Sequence, residues 1–518
     1  MKTKSTLKFT LTAIAFVICT SATAQIGTLD PSFSTDGRYI LDIDVLDQDA
    51  YGIAIQSDGK IVLAVDHDNG ADMDAVVVRL NTDGTLDNTF DTDGIVIIDL
   101  GGEDLGAYDV AIQADGKIVI AGYYYGGPMG DFMVARLNTD GTLDNTFNSD
   151  GVATVDIAGT SDDEGISLAI QADGQILLVG FTDNGVDGDV AVVRFDGADG
   201  LLDFTFDGDG ILTYDSGFDE LSASIAEQTD GKIVISGYLD KTTDVDVAVI
   251  RLDSDGSFDN TFDTDGIVLT DIAGDDDEGM FLSLQADGKI LVASTTYGGT
   301  SSDFAILRYN TDGSLDASFD TDGIVLTDFG GGDDYGYSVI EQTDGKIVAV
   351  GSAISTFSNF AVARYNSDGS ADATFGTGGK VTTSMPGGDS EIYRLALQID
   401  GKIVVTGYVY DSLPDHTNIA VARYVVTDNS GFDNLTPENV LAAYPNPFND
   451  HTMVTFGQTI TDGTLAVRNI LGQEICVIKD INGEAITFDR NTLPSGIYFL
   501  DLNQTDVQVG QIRLIVAD

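Results

Sequence analysis

The chain is poor in several residue types that stabilise or equip many proteins. Its 518 residues include only two cysteines, three histidines, eight prolines and no tryptophan. Two cysteines cannot supply a disulfide framework, so we expect packing to hold the fold together. Basic residues are also scarce, with 24 Lys and Arg against 85 Asp and Glu, which gives a formal net charge of −61. This charge repels phosphate backbones and anionic lipid headgroups, and it excludes nucleic acid and charged membrane surfaces as electrostatic partners.

Catalytic signatures are missing as well. The histidines, His67, His416 and His451, have no metal-ligating spacing, and the chain has no HExxH, GxSxG or phosphate-binding glycine loop. We therefore assign no catalytic residue from the sequence. What the chain does contain is 60 glycines and a hydrophobic fraction of 43%, which is enough for a large core. The acidity therefore does not indicate a disordered tail.

The first residues have the pattern of an export signal. Lysines precede the apolar run FTLTAIAFVICT, and small residues follow it up to Ala24. This pattern predicts a secretory signal peptide over residues 1–24. Its removal would take Cys19 away and leave Cys476, which lies in the apolar segment EICVI and is expected in a core. No other apolar run is long enough to span a bilayer, so we expect no transmembrane segment.

The rest of the chain is dominated by one unit that recurs seven times. The turn motif xDG(K/Q)I has its Asp at positions 58, 115, 173, 230, 287, 344 and 400, a step of 56–58 residues. A strand-like segment ends on Arg79, Arg136, Arg194, Arg251, Arg308, Arg364 and Arg423. A third segment, (L/F/A)DxxF, ends on Phe33, Phe90, Phe147, Phe206, Phe262, Phe319 and Phe375. Three markers in register identify an internal structural repeat.

Each unit predicts four short strands, as the second copy illustrates. GIVIIDL (94–100) is the first strand and YDVAIQ (108–113) the second, and KIVIAGYY (117–124) and DFMVARLN (131–138) follow. The Asp-Gly pair between the second and third strands predicts a type I′ hairpin turn. The first and third strands are nearly continuous apolar runs, which suggests burial on both faces. Evenly spaced antiparallel units with buried faces favour a closed seven-bladed β-propeller of four-stranded blades, and an open superhelical array is the alternative.

The combination QADGKIVIAG and DFMVARLNTDGTLDNTF resembles the delta-60 repeat of secreted bacterial proteins. The resemblance covers roughly residues 27–424, and we assign residues 25–424 to seven such repeats. It implies an extracellular propeller. It implies no catalytic residues, because the family is not defined by a reaction.

The two faces of the predicted propeller differ. The DG turns and the connections between units repeat almost unchanged, whereas the other face, which we name the variable face, carries the loops between the first and second and between the third and fourth strands. Its loops are rich in tyrosine and acidic residues. Because binding residues are often found on loops that a rigid scaffold positions, we expect a ligand to bind on this face. Candidate ligand-binding residues there are Tyr123, Tyr124, Tyr125, Tyr238, Tyr408 and Tyr410. Candidate Ca²⁺ ligands are Asp162, Asp163, Glu164, Asp275, Asp276, Asp277, Asp333 and Asp334, with plain solubility as the alternative role.

The recurring arginines are interpreted as structural. Each follows an Asp or Asn by five residues, as in Asp74 and Arg79, an odd step that places the two side chains on opposite sheet faces. We therefore expect each arginine to bind a carboxylate of a neighbouring strand or blade, for which the Asp of the LDxxF segment is a candidate. A ring of arginines that binds an anionic ligand is the alternative.

After Arg423 the repeat stops, and a polar linker (425–443) leads into short alternating strands over residues 444–518. Their spacing predicts a small Ig-like β-sandwich. This segment resembles the type A C-terminal sorting domain of the type IX secretion system of Bacteroidetes-type bacteria. The motif residues that carry the resemblance are Tyr444, Pro445, Asn446, Pro447, Phe448, Gly496 and Arg513. The resemblance implies export across the outer membrane by that secretion machinery, followed by release or attachment to the cell surface.

Three functions remain open from the sequence. The first is a non-enzymatic binding or adhesion propeller that takes a glycan or matrix ligand on the variable face, with or without Ca²⁺. The second is an extracellular propeller enzyme acting on polysaccharide, and the third is a passive structural surface protein. We expect the mature chain to be monomeric.

Overall fold

The computed structural model describes residues 26–426 and 442–516, with gaps at 45, 158, 160, 242, 273, 275, 299–300, 413–414, 445–447, 450, 470–473, 491–492, 495 and 505–506. The described residues contain strands, turns and bends but no helix, so none is present that could cross a membrane. They divide into two compact units, a repeat unit that ends near residue 426 and a C-terminal unit. The predicted signal peptide (1–24) and most of the predicted linker lie outside the described residues.

The repeat unit is built from seven four-stranded antiparallel sheets, which we number as blades 1 to 7. The strand at one edge of each sheet contacts its counterparts in both neighbouring blades, so these strands surround the axis. These innermost strands are β2 (Gln48–Ile55), β6 (Asp104–Ile112), β10 (Asp163–Ile170), β14 (Asp219–Glu227), β18 (Asp277–Leu284), β22 (Asp334–Glu341) and β26 (Ser390–Leu397).

Two further strands follow the innermost strand in each blade. The second strands are β3 (Ile61–Asp68), β7 (Ile118–Tyr125), β11 (Ile176–Asp183), β15 (Ile233–Asp240), β19 (Ile290–Thr296), β23 (Ile347–Ile354) and β27 (Ile403–Ser412). The third strands are β4 (Met73–Leu80), β8 (Asp131–Leu137), β12 (Gly188–Phe195), β16 (Val245–Leu252), β20 (Asp303–Tyr309), β24 (Ser358–Tyr365) and β28 (Asp415–Tyr424).

The outermost strands are short. They are β5 (Ile95–Ile98), β9 (Val152–Val155), β13 (Ile211–Tyr214), β17 (Ile267–Thr270), β21 (Ile324–Thr327), β25 (Lys380–Thr383) and, in blade 7, β1 (Arg38–Leu41). Each of them is the predicted first strand of a sequence unit. The blade is therefore out of phase with the repeat, because the segment predicted to open each unit pairs with the preceding blade, as Ile98 of β5 pairs with Ala75 of β4.

This phase shift closes the ring. Because β1 has no preceding blade in the chain, it completes blade 7 by antiparallel pairing with β28, from Arg38 opposite Ala422 to Leu41 opposite Ile419. The innermost strands β26 and β2 also contact each other. The propeller is therefore closed by its own N-terminal strand, and the open array is excluded.

The core lies between blades. The second and third strands are buried on both faces, and one apolar cluster joins Val62 and Val77 of blade 1 to Ile118 and Ile120 of blade 2. The outermost strands differ from the prediction of two buried faces, because the third residue is exposed in all of them except β1, and Ile97 is 49% exposed. No strand covers them on the outside, so only one of their faces packs inward.

The DG turns also differ from the prediction. In the first of them, Gly59 has a φ of +85° but Asp58 does not have a positive φ, whereas a type I′ turn needs both. The amide of Gly59 donates to the carbonyl of Gln56, and the amide of Gln56 donates to the carbonyl of Lys60. This is a three-residue hairpin loop, a type I turn followed by a glycine in the left-handed region.

The C-terminal unit contains β29 (Ala442–Tyr444), β30 (His451–Asn469), β31 (Glu474–Asp489), β32 (Gly496–Gln504) and β33 (Val507–Val516). All five pair into one sheet, so the two-layer Ig-like arrangement stays a prediction. Phe448 is buried and packs edge-on to Phe488 at 6.1 Å between ring centroids. Cys476 is exposed rather than in the core, and its neighbours Ile475 and Val477 on β31 are exposed as well.

Of the sorting-motif residues, Tyr444 and Arg513 lie on the outer strands β29 and β33, and Gly496 begins the inner strand β32. Tyr444 pairs with Met453, Gly496 pairs with Val516, and Arg513 pairs with Phe499. Pro445, Asn446 and Pro447 lie outside the described residues.

Candidate functional site

The acidic loops of the variable face join blades to one another. An aspartate just before or at the start of each innermost strand accepts the amide of a residue in the preceding blade, at 2.7–3.1 Å at all seven interfaces. Asp162, Asp276 and Asp333, predicted as metal ligands, are three of these acceptors, and their donors are the amides of Gly130, Val245 and Ser302. These carboxylates hold the loops of adjacent blades together.

A second set of predicted ligands lies at the first residue of innermost strands. Asp163, Asp277 and Asp334 are buried, and each accepts an amide of the loop that precedes it, at 2.5–2.7 Å. Burial raises the pKa of all three, to about 6 for Asp277 and Asp334. The predicted ligand Asp275 lies outside the described residues. The predicted ligand Glu164 accepts a hydrogen bond from the hydroxyl of Tyr125.

A β-bulge interrupts every innermost strand at the same place. Because a bulge leaves one residue without a partner and turns its side chain away from the regular pleat, it sets the direction of that side chain. The bulged residues are Tyr51, Tyr108, Ile166, Ala223, Met280 with Phe281, Tyr337 and Tyr393. Four of the seven blades therefore present a tyrosine at this position.

These four tyrosines form the centre of a continuous series of ring contacts, which we name the tyrosine arc. The central contacts are Tyr108 to Tyr51 at 5.1 Å, Tyr51 stacked on Tyr393 at 4.7 Å and Tyr393 to Tyr337 at 5.9 Å between centroids. Tyr335 and Tyr297 extend the series on one side, Tyr123 and Tyr125 on the other, and Tyr408 contacts Tyr393, at 5.4–6.5 Å. The arc runs over five consecutive blades, from blade 2 through blades 1, 7 and 6 to blade 5.

Carboxylates accept hydrogen bonds from the hydroxyls of the arc. Tyr297 donates to Glu278 at 2.8 Å, Tyr125 to Glu164 at 3.0 Å and Tyr123 to Asp66 at 3.3 Å. Burial raises the pKa of each of these acids, to about 7 for Asp66. Glu391, beside Tyr337, has a pKa raised by burial in the same way.

Three of the six predicted tyrosines, Tyr123, Tyr125 and Tyr408, lie in the arc. Tyr124 faces the other way and packs against the core between blades 1 and 2. Tyr238 makes no ring contact with the arc among the described residues, and the backbone amide of Tyr410 donates to the carbonyl of Asp389 at the edge of blade 7. The sequence reasoning missed the centre of the arc. A sequence pattern that could have indicated these residues is the recurrence of tyrosine at one position of the repeat, at residues 51, 108, 337 and 393.

Side chains from four blades meet at the axis beside the arc. Arg394 of blade 7 lies 3.4 Å from Asp109 of blade 2, and its guanidinium carbon is 3.1 Å from the ring centroid of Phe281 of blade 5. Ser167 of blade 3 donates to the same carboxylate at 2.8 Å. Blades that are not neighbours meet only at the axis, and Arg394 follows Tyr393 in the direction of the DG turns. Side chains of blades that are not neighbours therefore meet on the axis beside the arc.

The recurring arginines lie near the opposite face and have one common environment, which we name the blade lock. In every blade the arginine Nε donates to the Asp of the (L/F/A)DxxF segment at 2.7–2.9 Å, the carboxylate that the sequence suggested. An Nη group donates to a backbone carbonyl of the next blade, as Arg79 does to Thr139 at 2.7 Å. The guanidinium also lies 4.3–4.9 Å from the phenylalanine of the same segment. Each arginine is therefore buried and makes contacts both within its own blade and to the next.

Comparison with protein families gives two matches. Five stretches match the model described as a domain of unknown function, DUF5122 beta-propeller: residues 56–90, 113–147, 228–262, 285–319 and 342–375. Residues 442–517 match the model of a secretion system C-terminal sorting domain. No curated protein sequence matches the chain significantly.

Solved structures that resemble the chain are distant from it in sequence. A catalytically inactive virginiamycin B lyase from Staphylococcus aureus with quinupristin is 12% identical, with a TM-score of 0.44 over 74% of this chain and 98% of that one. An ulvan lyase of polysaccharide lyase family PL25 is 12% identical, with a TM-score of 0.42 over 75% of this chain and 96% of that one. Similarity this low carries no argument about activity.

Proposed function

We propose that this chain is an exported, non-enzymatic propeller that binds uncharged glycan chains. It carries DUF5122 propeller repeats, and its C-terminal sorting domain marks proteins secreted to the cell surface or the extracellular space. The tyrosine arc and its carboxylates form the binding surface. The sorting domain engages the secretion machinery that delivers the propeller.

The observation that carries this proposal is the continuity of the arc. Tyrosine supplies a broad, rigid surface at low cost in conformational entropy, and its rings offer apolar faces to the C–H faces of sugars. The hydrogen-bonded carboxylates fix the rings and keep further acceptor capacity for sugar hydroxyls. Aromatic side chains with a few placed polar groups are the usual lining of a ligand site.

The charge of the surface selects among glycans. Every ionisable partner that shifts the pKa of the arc tyrosines Tyr51, Tyr108 and Tyr393 is a carboxylate or another tyrosine. Arg394, the arginine on the axis, forms an ion pair with Asp109 at 3.4 Å. A sulfated or uronic polysaccharide would meet uncompensated negative charge, so neutral polymers are favoured over anionic ones.

The experiment is an array of neutral, uronic and sulfated polysaccharides, with matrix proteins as further spots, probed with the purified full chain. We expect retention on neutral polysaccharide. In Tyr393→Ala the central ring is lost, and affinity falls about tenfold, since one aromatic contact contributes about 1.5 kcal/mol. Phe357→Ala is the matched control, because Phe357 is a 55% exposed aromatic of the same face outside the arc.

The outcomes separate the alternatives. Binding that is lost in Tyr393→Ala but kept in Phe357→Ala supports the proposal. Retention on sulfated polysaccharide or matrix protein alone, or equal effects of the two variants, contradicts it. Release of new reducing ends from a bound polysaccharide would favour an enzyme, and absence of all binding would favour a passive surface protein.

A further inference from the structure

Two groups of three aspartates lie at equivalent places of the variable face in blades 2 and 3. In blade 2 the group is Asp131 at the start of β8, Asp156 after β9, and Asp163 at the start of β10. In each group, one carboxylate oxygen per residue lies within 4.8 Å of the others. Oxygen ligands of Ca²⁺ stand about 2.3–2.6 Å from the ion, which places two ligands at most about 5 Å apart.

In blade 3 the group is Asp187 and Asp189 beside the start of β12, with Asp215 after β13. The side chain of Asn184 donates to Asp187 at 2.8 Å and to the second oxygen of Asp189 at 2.9 Å, which holds both carboxylates in place. A fourth acid, Glu220, is close enough that the charges of Asp189 and Asp215 add to the burial that raises its pKa to about 7.

Each group contains a buried carboxylate oxygen with no hydrogen-bond partner. Asp163 is 0% exposed and Asp189 is 6% exposed, and the Oδ1 atom of each is buried without a hydrogen bond of good geometry, although the hydroxyls of Ser161 and Thr182 lie beside Asp163. Burying such an atom unsatisfied is costly, and a cation is the partner that several converging carboxylates leave room for. Burial and the neighbouring carboxylates also raise the pKa of Asp131 and Asp189.

Other blades show what this position requires. In blade 4, Asp246 occupies the place of Asp131 and forms an ion pair with the ammonium of Lys241. In blades 6 and 7 the same place holds Asn359 and Asn418, and neither blade keeps the acidic group. No Lys, Arg or His among the described residues pairs with the six aspartates of blades 2 and 3. Blades 1 and 5 keep an acid at this place as well, and each has a basic neighbour: His67 lies 3.9 Å from Asp74 in blade 1, and the charge of Lys380 acts on Asp334 beside blade 5. Blade 4 has Lys241, whereas blades 2 and 3 have no such basic partner among the described residues.

We infer that the aspartate groups of blades 2 and 3 each bind a divalent cation, Ca²⁺, at the loop between consecutive blades. Ca²⁺ takes carboxylate oxygens in flexible geometry, whereas Mg²⁺ demands near-ideal octahedral sites and releases its water reluctantly. The bound ion neutralises the buried acids, and in the first group it also ties blade 2 to β10, the innermost strand of the next blade, through Asp163. Extracellular Ca²⁺ modules bind at about 10⁻⁴–10⁻³ M, the range expected here.

The test uses the purified full chain, freed of metal with EDTA and titrated with CaCl₂ by calorimetry, with thermal unfolding as a second measurement. We expect two Ca²⁺ per chain, one for each group, and a rise in the unfolding midpoint with Ca²⁺ concentration. Asp156→Asn and Asp215→Asn each remove one binding event. Both residues are exposed members of their groups, and asparagine keeps the hydrogen-bond acceptor of the turn.

The matched control is Asp271→Asn, which changes the equivalent exposed loop position in blade 4, where Lys241 supplies the cation. It is expected to keep two Ca²⁺ per chain. Loss of one site in each test variant with two sites kept in the control supports the inference. Absence of Ca²⁺ binding at millimolar concentration, or a stoichiometry that neither test variant lowers, overturns it.

Discussion

The blade lock makes a quantitative prediction for Arg308. This residue is 4% exposed, and its Nε donates to Asp316 at 2.8 Å. One Nη group donates to the carbonyl of Ser367 in the next blade at 2.6 Å, and the guanidinium carbon lies 4.4 Å from the ring centroid of Phe319. Arg308→Met keeps most of the aliphatic packing and removes the charge and the donors.

The magnitude follows from what the substitution leaves behind. Removing one partner of a buried ion pair costs about 3–5 kcal/mol, because the other charge stays buried. Here Lys289 still lies 3.0 Å from Asp316, so the cost falls at the lower end. We expect Arg308→Met to lower the free energy of unfolding by about 3 kcal/mol.

Two further variants isolate the interaction. Lys289 is the outer cation of the same carboxylate, and its side chain is 26% exposed. Lys289→Met should therefore lower the free energy of unfolding by under about 1 kcal/mol, as the loss of a solvent-accessible ion pair does. Asp316→Asn combined with Arg308→Met removes the stranded charge while the amide keeps the turn contacts with Ser318. The double variant should therefore recover part of the loss, and the cycle yields the coupling energy.

The assay is urea unfolding of the full chain, followed by circular dichroism and tyrosine fluorescence, with coincident transitions as the test of two-state behaviour. The reasoning is refuted if Arg308→Met costs no more than Lys289→Met. It is also refuted if the double variant is less stable than Arg308→Met by more than about 1 kcal/mol, since the stranded carboxylate would then not be the source of the cost.

Three other predictions concern pH and export. Burial raises the pKa of Asp66 to about 7, so the folded chain holds a proton that the unfolded chain loses above pH ~4, and stability falls as the pH rises from ~4 to ~7. Asp66→Asn should therefore be more stable than the parent at pH 8, by up to about 4 kcal/mol, and no more stable at pH 4; a gain that does not depend on pH in urea unfolding would contradict this. In the blade locks, the Asp of every (L/F/A)DxxF segment has a pKa below its usual range although burial acts to raise it, because hydrogen bonds and the basic partners outweigh burial. Their contribution is present above pH ~4 and is lost below it, so acid unfolding measured by circular dichroism should begin below pH 4. Deletion of residues 442–517 should leave the propeller inside the producing cell, which fractionation and immunoblotting would detect. If the truncated protein still reached the surface or the medium in undiminished amount, the role of the sorting domain would be contradicted.

Much of the fold was predictable because its information is local. The step of 56–58 residues, the strand segments and the polar turns lie within single units, and each unit repeats them. The odd spacing of Asp74 and Arg79 separated their side chains and directed attention to the carboxylate of the LDxxF segment, which is where Arg79 binds. The order of the strands within a unit was enough to separate the variable face from the opposite face, which carries the DG turns.

The type of turn was not predictable from two letters. Asp-Gly fits both a type I′ turn and a type I turn followed by a left-handed glycine, and the pairing of the flanking strands decides between them. The exposure of the outermost strands likewise depends on the absence of a neighbour on one side. Both are consequences of what packs against a segment.

The sequence by itself determined the repeat, the strands and the acidity of the variable face, because period, pattern and charge are properties of neighbouring residues. Only the tertiary structure decided that each opening strand joins the preceding blade and that β1 closes the ring on β28, since pairing across several hundred residues depends on the curvature of all seven blades. It also decided which tyrosines meet. A bulge in each innermost strand turns one residue out of the pleat, and ring closure brings Tyr51 against Tyr393, 342 residues later in the chain.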